Sequence, residues 1–265
     1  SNSTLKKIGI TGSSGLLGKL LIKELKKKKL KYSNFTGDIT NSSKVNNWLK
    51  SQKNINYIFH FAAFTSVIRS KQNKKKSYIT NVMGTKNLLK SIKQTKKKIF
   101  LFFPSTSHVY SFSKKPITEK DLTLPISYYG KTKLLAEREI RLYKNKNFEY
   151  FIGRIFSIFN RNQKKPFLYP TVKYRIKKMK SKKIYIKNAN CVRDFTNAEK
   201  LIKIILQIYK KKLSGTYNIG SGKGTSIKEF IYKTITKKKE ILTNNVINVS
   251  VANINKLKKA KIKVN

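Results

Sequence analysis

The chain is short of the residues that build covalent staples and metal sites. Cys191 is the one cysteine in 265 residues, so no internal disulfide can form and no thiolate cluster exists. The two histidines, His60 and His108, do not supply the ligand spacing of a zinc site, and no metal is expected. Long apolar runs are missing too. Crossing a bilayer takes about 20 apolar residues, and the longest run here, IFLFFP at 99–104, has the length of a strand and stops at a proline. No secretory-type segment stands ahead of the first strand-like run. These absences predict a cytoplasmic protein in a reducing setting, with no membrane partner.

Acids are scarce as well: 11 Asp and Glu face 61 Lys and Arg, for a formal net charge of +50. Such an excess has two readings, a polyanion partner or a compositional bias. A reader of nucleic acid is expected to use the bidentate fork of arginine, yet only 7 of the basic residues are Arg and 54 are Lys. The lysines are scattered in short runs, such as 26–29, 96–98 and 210–212, at predicted helix ends and loops. We read them as solvated surface without a specific nucleic-acid site. They still favour anionic ligands and make binding salt-sensitive.

A hydrophobic content of 39% supports a packed core, and the length suits one large domain or a core with an appended lobe. Strand-like and helix-like stretches alternate. KKIGIT is followed by a glycine turn and by LLGKLLIKELKKKK, whose Leu16, Leu20 and Leu21 share a face. NYIFHFAAF and KKIFLFFPSTS are nearly all apolar, as in parallel strands covered on both sides. FEYFIGRIFSIF, residues 148–159, reads as a further strand. This alternation predicts an α/β fold with a doubly wound, Rossmann-like parallel sheet over residues 1–159. Beyond residue 160 the rhythm loosens. Residues 160–191 and 214–265 are expected to form a small substrate-binding lobe, with 192–213 returning to the main domain.

Three glycines, Gly12, Gly15 and Gly18, lie between the first strand and the first helix. The first permits a tight turn, the second lets backbone approach a pyrophosphate, and the third lets the helix pack on the strand. The helix N-terminus offers free N–H groups to phosphate. A dinucleotide site is the expectation. Farther on, SYYGKTKLLAE places Tyr129 and Lys133 four residues apart on one helical face. In a lysine-rich chain that spacing alone is weak, because Tyr174 and Lys178 share it.

The spacing G-x-x-G-x-x-G, within ITGSSGLLG, resembles that of the extended short-chain dehydrogenase/reductases that act on nucleotide sugars. Other segments resemble that family in the same order: GDIT at 37–40, HFAA at 60–63, NVMGTKNLL at 81–89, PSTSHVY at 104–110, PISYYGKTKLLAE at 125–137, RIFSIF at 154–159, VRDF at 192–195 and TYNIGSGKGTSIKEF at 216–230. The resemblance implies catalysis by Thr106, Tyr129 and Lys133, with Ser105 and Ser107 as alternatives to Thr106. A neighbouring ammonium would lower the tyrosine pKa for proton transfer. For the cofactor, NADP or NAD, it implies Gly12, Ser14, Gly15, Leu16, Leu17 and Gly18 at the phosphates. Asp38 and Ile39 would lie at the adenine, and Phe61, Ala62, Ala63, Asn81 and Lys133 along the rest. Thr65, Ser66, Ser107, His108, Ser157 and Arg193 would meet a nucleotide-sugar substrate. A homodimer is implied as well.

Departures from the family pattern sharpen the reading. Dehydratases of the family carry Asp-Glu immediately after the catalytic threonine, where this chain has Ser107 and His108, which argues against dehydration. His108 reads either as an acid/base group or as a packed histidine, and His60 as structural. Arg154 reads either as half of an ion pair or as a substrate contact, and Asp194 as a loop anchor. Between Gly18 and Asp38 the one acid is Glu24, inside the helix; LKYSNF offers Lys31, Ser33 and Asn34 instead, and a lysine there would accept a 2′-phosphate, favouring NADP. The expected activity is reduction of a 4-keto-6-deoxy sugar nucleotide at C4. A 4-epimerase with bound NAD is the alternative, followed by an amino-acid dehydrogenase or a nucleic-acid-binding relative of the fold.

Overall fold

The computed structural model describes residues 6–265. In chain order the first half runs β1 (Lys7–Thr11), α1 (Leu16–Lys27), β2 (Tyr32–Phe35), α2 (Ser42–Ser51), β3 (Ile55–His60), α3 (Val67–Gln72), α4 (Lys74–Tyr78), a π-helical turn (Ile79–Met83), α5 (Gly84–Thr95), β4 (Ile99–Thr106), α6 (Tyr128–Leu142) and β5 (Phe148–Ile155). The second half runs β6 (Ser157–Phe159), α7 (Leu168–Lys178), β7 (Lys183–Tyr185), β8 (Val192–Arg193), β9 (Phe195–Asn197), α8 (Ala198–Lys211), β10 (Gly215–Ile219), β11 (Thr225–Ser226), α9 (Ile227–Thr234), β12 (Glu240–Leu242), β13 (Val249–Ser250) and α10 (Asn255–Lys259). Among the described residues no helix is long and apolar enough to cross a membrane.

Six strands form a parallel sheet in the order β10-β5-β4-β3-β1-β2. Strand alternation sorts its side chains onto two faces. Tyr57, Phe59, Phe102 and Phe151 join Leu21 and Leu25 of α1 and the apolar stripe of α8 on one side. Ile58, Leu101, Phe103 and Ile152 meet Trp48 of α2, Leu88 and Ile92 of α5 and Ile140 of α6 on the other. Phe102 and Phe151 stack at 5.2 Å, and Phe151 and Tyr217 at 5.3 Å, which ties three neighbouring strands through their rings. Each such fully buried aromatic contributes about 1.5–3 kcal/mol of burial.

The chain leaves β1 outward to β2, then crosses back to β3 on the other side of β1. A crevice therefore opens at the carboxyl ends of β1 and β3, where open α/β sheets bind ligands. Gly12, Phe61 and Ala62 lie at this point, and Thr106 ends β4 nearby.

Two boundaries differ from the sequence expectation. The long run at 148–159 breaks at Phe156, whose N–H turns to the Ile219 carbonyl (3.0 Å). Residues 215–219, expected in the lobe, instead pair with β5 as the sixth sheet strand. The end of the chain also returns to the main core, because Ile254, Leu257, Ile262 and Val264 are apolar and find cover beside α8. The lobe proper has its own small core of Val172, Ile184, Ile186, Phe230, Ile231 and Ile241.

Candidate functional site

The glycine turn is shaped by the absence of side chains. Gly12 has φ +71°, and a Cβ there would lie 2.4 Å from the Ala62 nitrogen. A Cβ on Gly18 would lie 2.4 Å from the Gly12 oxygen, so the third glycine is what lets α1 seat on the turn. At Gly15 the nearest atom would be 3.5 Å away, leaving that face open. Gly15 also caps α1 without a side-chain acceptor, and the first turn holds no acid. The N–H groups of the first turn, Leu16, Leu17 and Gly18 among them, thus lack a side-chain cap and carry the positive end of the helix dipole. Ser14 is exposed at the lip of the turn, while Leu17 packs inward on the core. These features fit a dinucleotide pyrophosphate.

Behind the turn runs a directed relay of hydrogen bonds. The Ala62 N–H donates to Thr11 Oγ1 (3.1 Å), and Thr11 Oγ1 lies 2.7 Å from His60 Nδ1. His60 Nε2 lies 3.0 Å from Thr85 Oγ1, whose proton goes to the Asn81 carbonyl (2.7 Å). With Thr85 committed as a donor to Asn81, it accepts from His60, so the imidazole is protonated at Nε2 and accepts at Nδ1. Burial, aided by the Lys133 charge, pushes His60 down to about 3, so it is neutral and structural. The Asn81 amide is spent on protein: it accepts from Phe64 N (2.7 Å) and donates to Phe64 O and Thr132 Oγ1. It fixes the loop of Ala62 and Ala63 against α6, and it sits in the π turn, a common local widening at functional sites.

On the adenine side, Asp38 accepts from both the N–H and the hydroxyl of Thr40, which lowers its pKa. Ile39 is buried and Gly84 packs on it; its carbonyl accepts from Asn87. Phe61 is buried among Phe59 and Phe102. Lys31 is a correction. Its carbonyl accepts from Ile8 N, so it stands at the amino end of β2, at the opposite end of the sheet from Gly12. The parallel register forbids the 2′-phosphate role read from the sequence.

The three residues expected to be catalytic come together where β4 meets α6. Thr106 Oγ1 accepts from the His108 N–H (3.1 Å), which leaves its own proton free to donate. The His108 carbonyl accepts from Ile126 N, and a Cβ on Gly130 would lie 2.2 Å from that carbonyl oxygen. The start of α6 is thus pressed onto the turn after Thr106. Ser127 caps α6 by accepting from Gly130 N (3.0 Å) and lies 2.9 Å from His108 Nδ1. The His108 ring stands edge-on to Tyr129, with centroids 6.3 Å apart. Burial pushes His108 down to about 4, with Arg193 adding to the shift. Ser105 donates to Glu137, which leaves Thr106 as the strand-end hydroxyl facing His108; Ser107 is buried in the turn.

Lys133 is 2% exposed, and its ammonium lies over the Phe103 ring at 4.2 Å. Among the described residues it has no hydrogen-bond acceptor. Burial pushes it down to about 7, opposed by the Glu137 charge. Tyr129 departs from the sequence expectation. Burial pushes its phenol up to about 12, and Lys133 does not offset this in the free chain.

On the substrate side, the Arg193 guanidinium lies 4.8 Å over Phe112 and donates through Nη1 to the carbonyls of Val192 and Asn248. Phe112 lies four residues beyond His108, so this contact sets Arg193 beside the segment that leaves the His108 turn. Asp194 is wholly buried and accepts from Ser221, Gly222 and Ala252, so it anchors the glycine loop after β10. Ser157 pairs with Phe195 in the short sheet of β6 and β9. Thr65 is exposed, whereas Ser66 is buried and caps α3 by accepting from Arg69 N. Arg154 is half of an ion pair with Glu137 (2.8 Å), which decides between its two readings.

Residues 10–265 match the sequence profile of the family described as GDP-mannose 4,6 dehydratase. The chain belongs to the extended short-chain dehydrogenase/reductase family. It is 31% identical to GDP-6-deoxy-D-talose 4-dehydrogenase of Aggregatibacter actinomycetemcomitans, over 83% of this chain and 76% of that protein. Its fold is shared with UDP-glucose 4-epimerase of Thermus thermophilus in complex with NAD, with TM-score 0.83 and 19% identity over 97% of this chain and 93% of that one. It is shared equally with RMD of Pseudomonas aeruginosa complexed with NADPH, with TM-score 0.84 and 19% identity over 96% and 92%. The family model and the curated relative make this an enzyme of the nucleotide-sugar epimerase, dehydratase and reductase group.

Sequence reading of this dehydrogenase/reductase misses the groups that hold the site rather than form it. Glu137, Tyr110, Asn218 and Ser127 carry no assignment there, though Glu137 closes the PISYYGKTKLLAE motif. The available signal is the placement of one of the two acids of a basic helix: Glu137 falls three residues from both Leu134 and Ile140, whereas Glu139 pairs with Lys86. Among 11 acids, one placed on the apolar side of α6 calls for a buried cation.

Proposed function

We propose that this enzyme reduces a 4-keto-6-deoxy sugar at C4 while the sugar is carried on a nucleoside diphosphate. The observation that carries the reading is the docking of Thr106 against the start of the helix bearing Tyr129 and Lys133. It is followed by Ser107 and His108, where dehydration needs an acidic pair. The match to a GDP-6-deoxy-D-talose 4-dehydrogenase supports it.

When bound, the dinucleotide supplies the hydride. The uncapped start of α1 and the open face of Gly15 would hold its pyrophosphate, and Lys133 its nicotinamide ribose. Thr106 has a proton to donate to the substrate O4. Tyr129, a protonated phenol at neutral pH, is the acid that protonates O4 as the carbonyl is reduced. Arg193 would meet the diphosphate, and His108 the sugar. With Lys31 far away, the NADP preference loses its residue, so the dinucleotide is NADPH or NADH. A homodimer through α5 and α6 completes the reading; Ile79 and Met83 are exposed beside α5.

The test starts by denaturing purified protein and identifying any released dinucleotide by mass spectrometry. Nucleotide-free protein that oxidises NADPH or NADH on addition of GDP- or dTDP-linked 4-keto-6-deoxyhexose supports the reductase. Stoichiometric NAD⁺ with interconversion of UDP-glucose and UDP-galactose would establish the epimerase instead.

A further inference from the structure

In a chain with 11 acids against 61 bases, Glu137 is fully buried. Its carboxylate is completely engaged. Oε2 accepts from the Ser105 hydroxyl (2.5 Å), and Oε1 accepts from Arg154 Nη2 and Arg141 Nη2, both at 2.8 Å. Arg154 Nε bridges both oxygens at 3.3 and 3.2 Å. The network continues outward: Arg154 Nη1 donates to Tyr110 OH (2.9 Å), and Tyr110 donates to Asn218 Oδ1 (2.7 Å). Asn218 in turn donates to the Ile117 carbonyl (2.8 Å). One carboxylate thus joins β4, α6 and β5, and through Tyr110 also β10.

Stability alone is a weak reason for this arrangement. Buried ion pairs gain little over apolar residues of the same volume, because desolvating two charges costs about what their attraction returns. The placement of the pair is more informative. Ser105 precedes Thr106, Tyr110 ends the turn that holds His108, and Glu137 lies one helical turn beyond Lys133.

Lys133 needs such a neighbour. Its side chain is buried, its ammonium lies over the Phe103 ring, and among the described residues it has no hydrogen-bond acceptor. The titratable groups facing it are His60 on β3, which is neutral, Tyr129 and Glu137 on its own helix, and Arg154 on β5 behind Glu137. Glu137 is the one anion in that set.

We propose that Glu137 is a positioning residue: it supplies the counter-charge of the Lys133 ammonium and locks the strand end bearing Thr106 to the helix bearing Tyr129 and Lys133. The proposal rests on the reading of Lys133 as a dinucleotide contact.

The test titrates NADH into the full chain by fluorescence across neutral pH. It uses the wild type, Glu137→Gln, Lys133→Met and the double variant Glu137→Gln/Arg154→Met, with melting temperatures measured alongside. In the wild type, affinity falls as pH rises through the Lys133 titration, and Lys133→Met removes that fall. Glu137→Gln moves its midpoint down by about one pH unit or more and weakens neutral-pH binding about tenfold. The double variant leaves no lone buried guanidinium, so it keeps the fold readable if the single variant does not fold; with the Arg154 charge gone as well, its midpoint moves down by less than that of Glu137→Gln, and a midpoint at or above the wild-type value overturns the proposal. A lowered melting temperature with an unmoved midpoint means that Glu137 is only an ion-pair partner, and overturns the proposal. A pH dependence that survives Lys133→Met overturns the reading of Lys133 itself, and Glu137's role with it.

Discussion

The glycine turn and the loops around Arg193, proposed to meet the dinucleotide and the substrate, hold their parts by opposite means. The glycine turn is made by leaving side chains out: Gly12 and Gly18 have no room for a Cβ, and the start of α1 is left uncapped. The loops are made by side chains reaching across the chain to backbone. Asp194 gathers the N–H groups of Ser221, Gly222 and Ala252, while Asn244 and Thr243 accept from the N–H groups of Asn188 and Ala189. The two sides meet at α6, so variants there should disable the reaction without separating them. Tyr129→Phe keeps the ring and its packing but removes the proton. It should lower single-turnover NADPH oxidation by about 10²–10⁴-fold, with NADH affinity and melting temperature unchanged.

The contrast itself can be broken from either side. Gly12→Ala forces a side chain into positive φ and against the backbone of Phe61 and Ala62. The strain and the overpacking each cost about 1–3 kcal/mol. It should lower the melting temperature and abolish NADH binding, while UDP or GDP binding by the folded fraction persists. Asp194→Asn does the reverse. An amide cannot accept from all of the N–H groups that the carboxylate serves, at a cost of about 1–3 kcal/mol. It should weaken nucleoside diphosphate binding by calorimetry and leave NADH affinity as it was. If either variant removes both affinities together, the two sides are coupled and the contrast fails.

The same difference explains what the sequence discloses. The glycine turn, the apolar parallel strands and the Tyr129–Lys133 spacing are local patterns, and each obeys a rule that spans a few residues. The partner of Glu137 lies 17 residues away on another strand, and the anchors of Asp194 lie 27 to 58 residues away. No periodicity marks such pairs. Lys31 misleads for a related reason. Its position in the sequence puts it near the second strand, but only the parallel register shows that it stands at the wrong end. The tyrosine pKa escapes a sequence reading because spacing reports that Lys133 is near and says nothing of burial, which dominates in the free chain. The sixth strand reads as part of the lobe because TYNIG is short and follows the break in rhythm; its place is decided by β5.

The smallest expected effect concerns His60, which ties β1 and β3 to α5 behind the glycine turn. Its folded pKa of about 3 lies below the ordinary histidine value near 6.5. Between those values the unfolded chain binds a proton that the folded chain refuses, so stability rises with pH there. The stability is complete above the unfolded value and is lost as pH falls below it. Between pH 7 and pH 6 the loss is less than about 1 kcal/mol, or roughly 2–4 °C in melting temperature. It steepens toward about 1.4 kcal/mol per pH unit below that range. His108, depressed to about 4, adds in the same direction from the reacting centre. His60→Gln should therefore be less stable at neutral pH yet lose stability on acidification at about half the wild-type slope, the His108 share remaining. Melting curves at closely spaced pH values resolve the two. An unchanged slope in His60→Gln would mean that His60 takes up its proton at the same pH in the fold as in the unfolded chain, and that the relay from Ala62 to Asn81 does not hold it neutral.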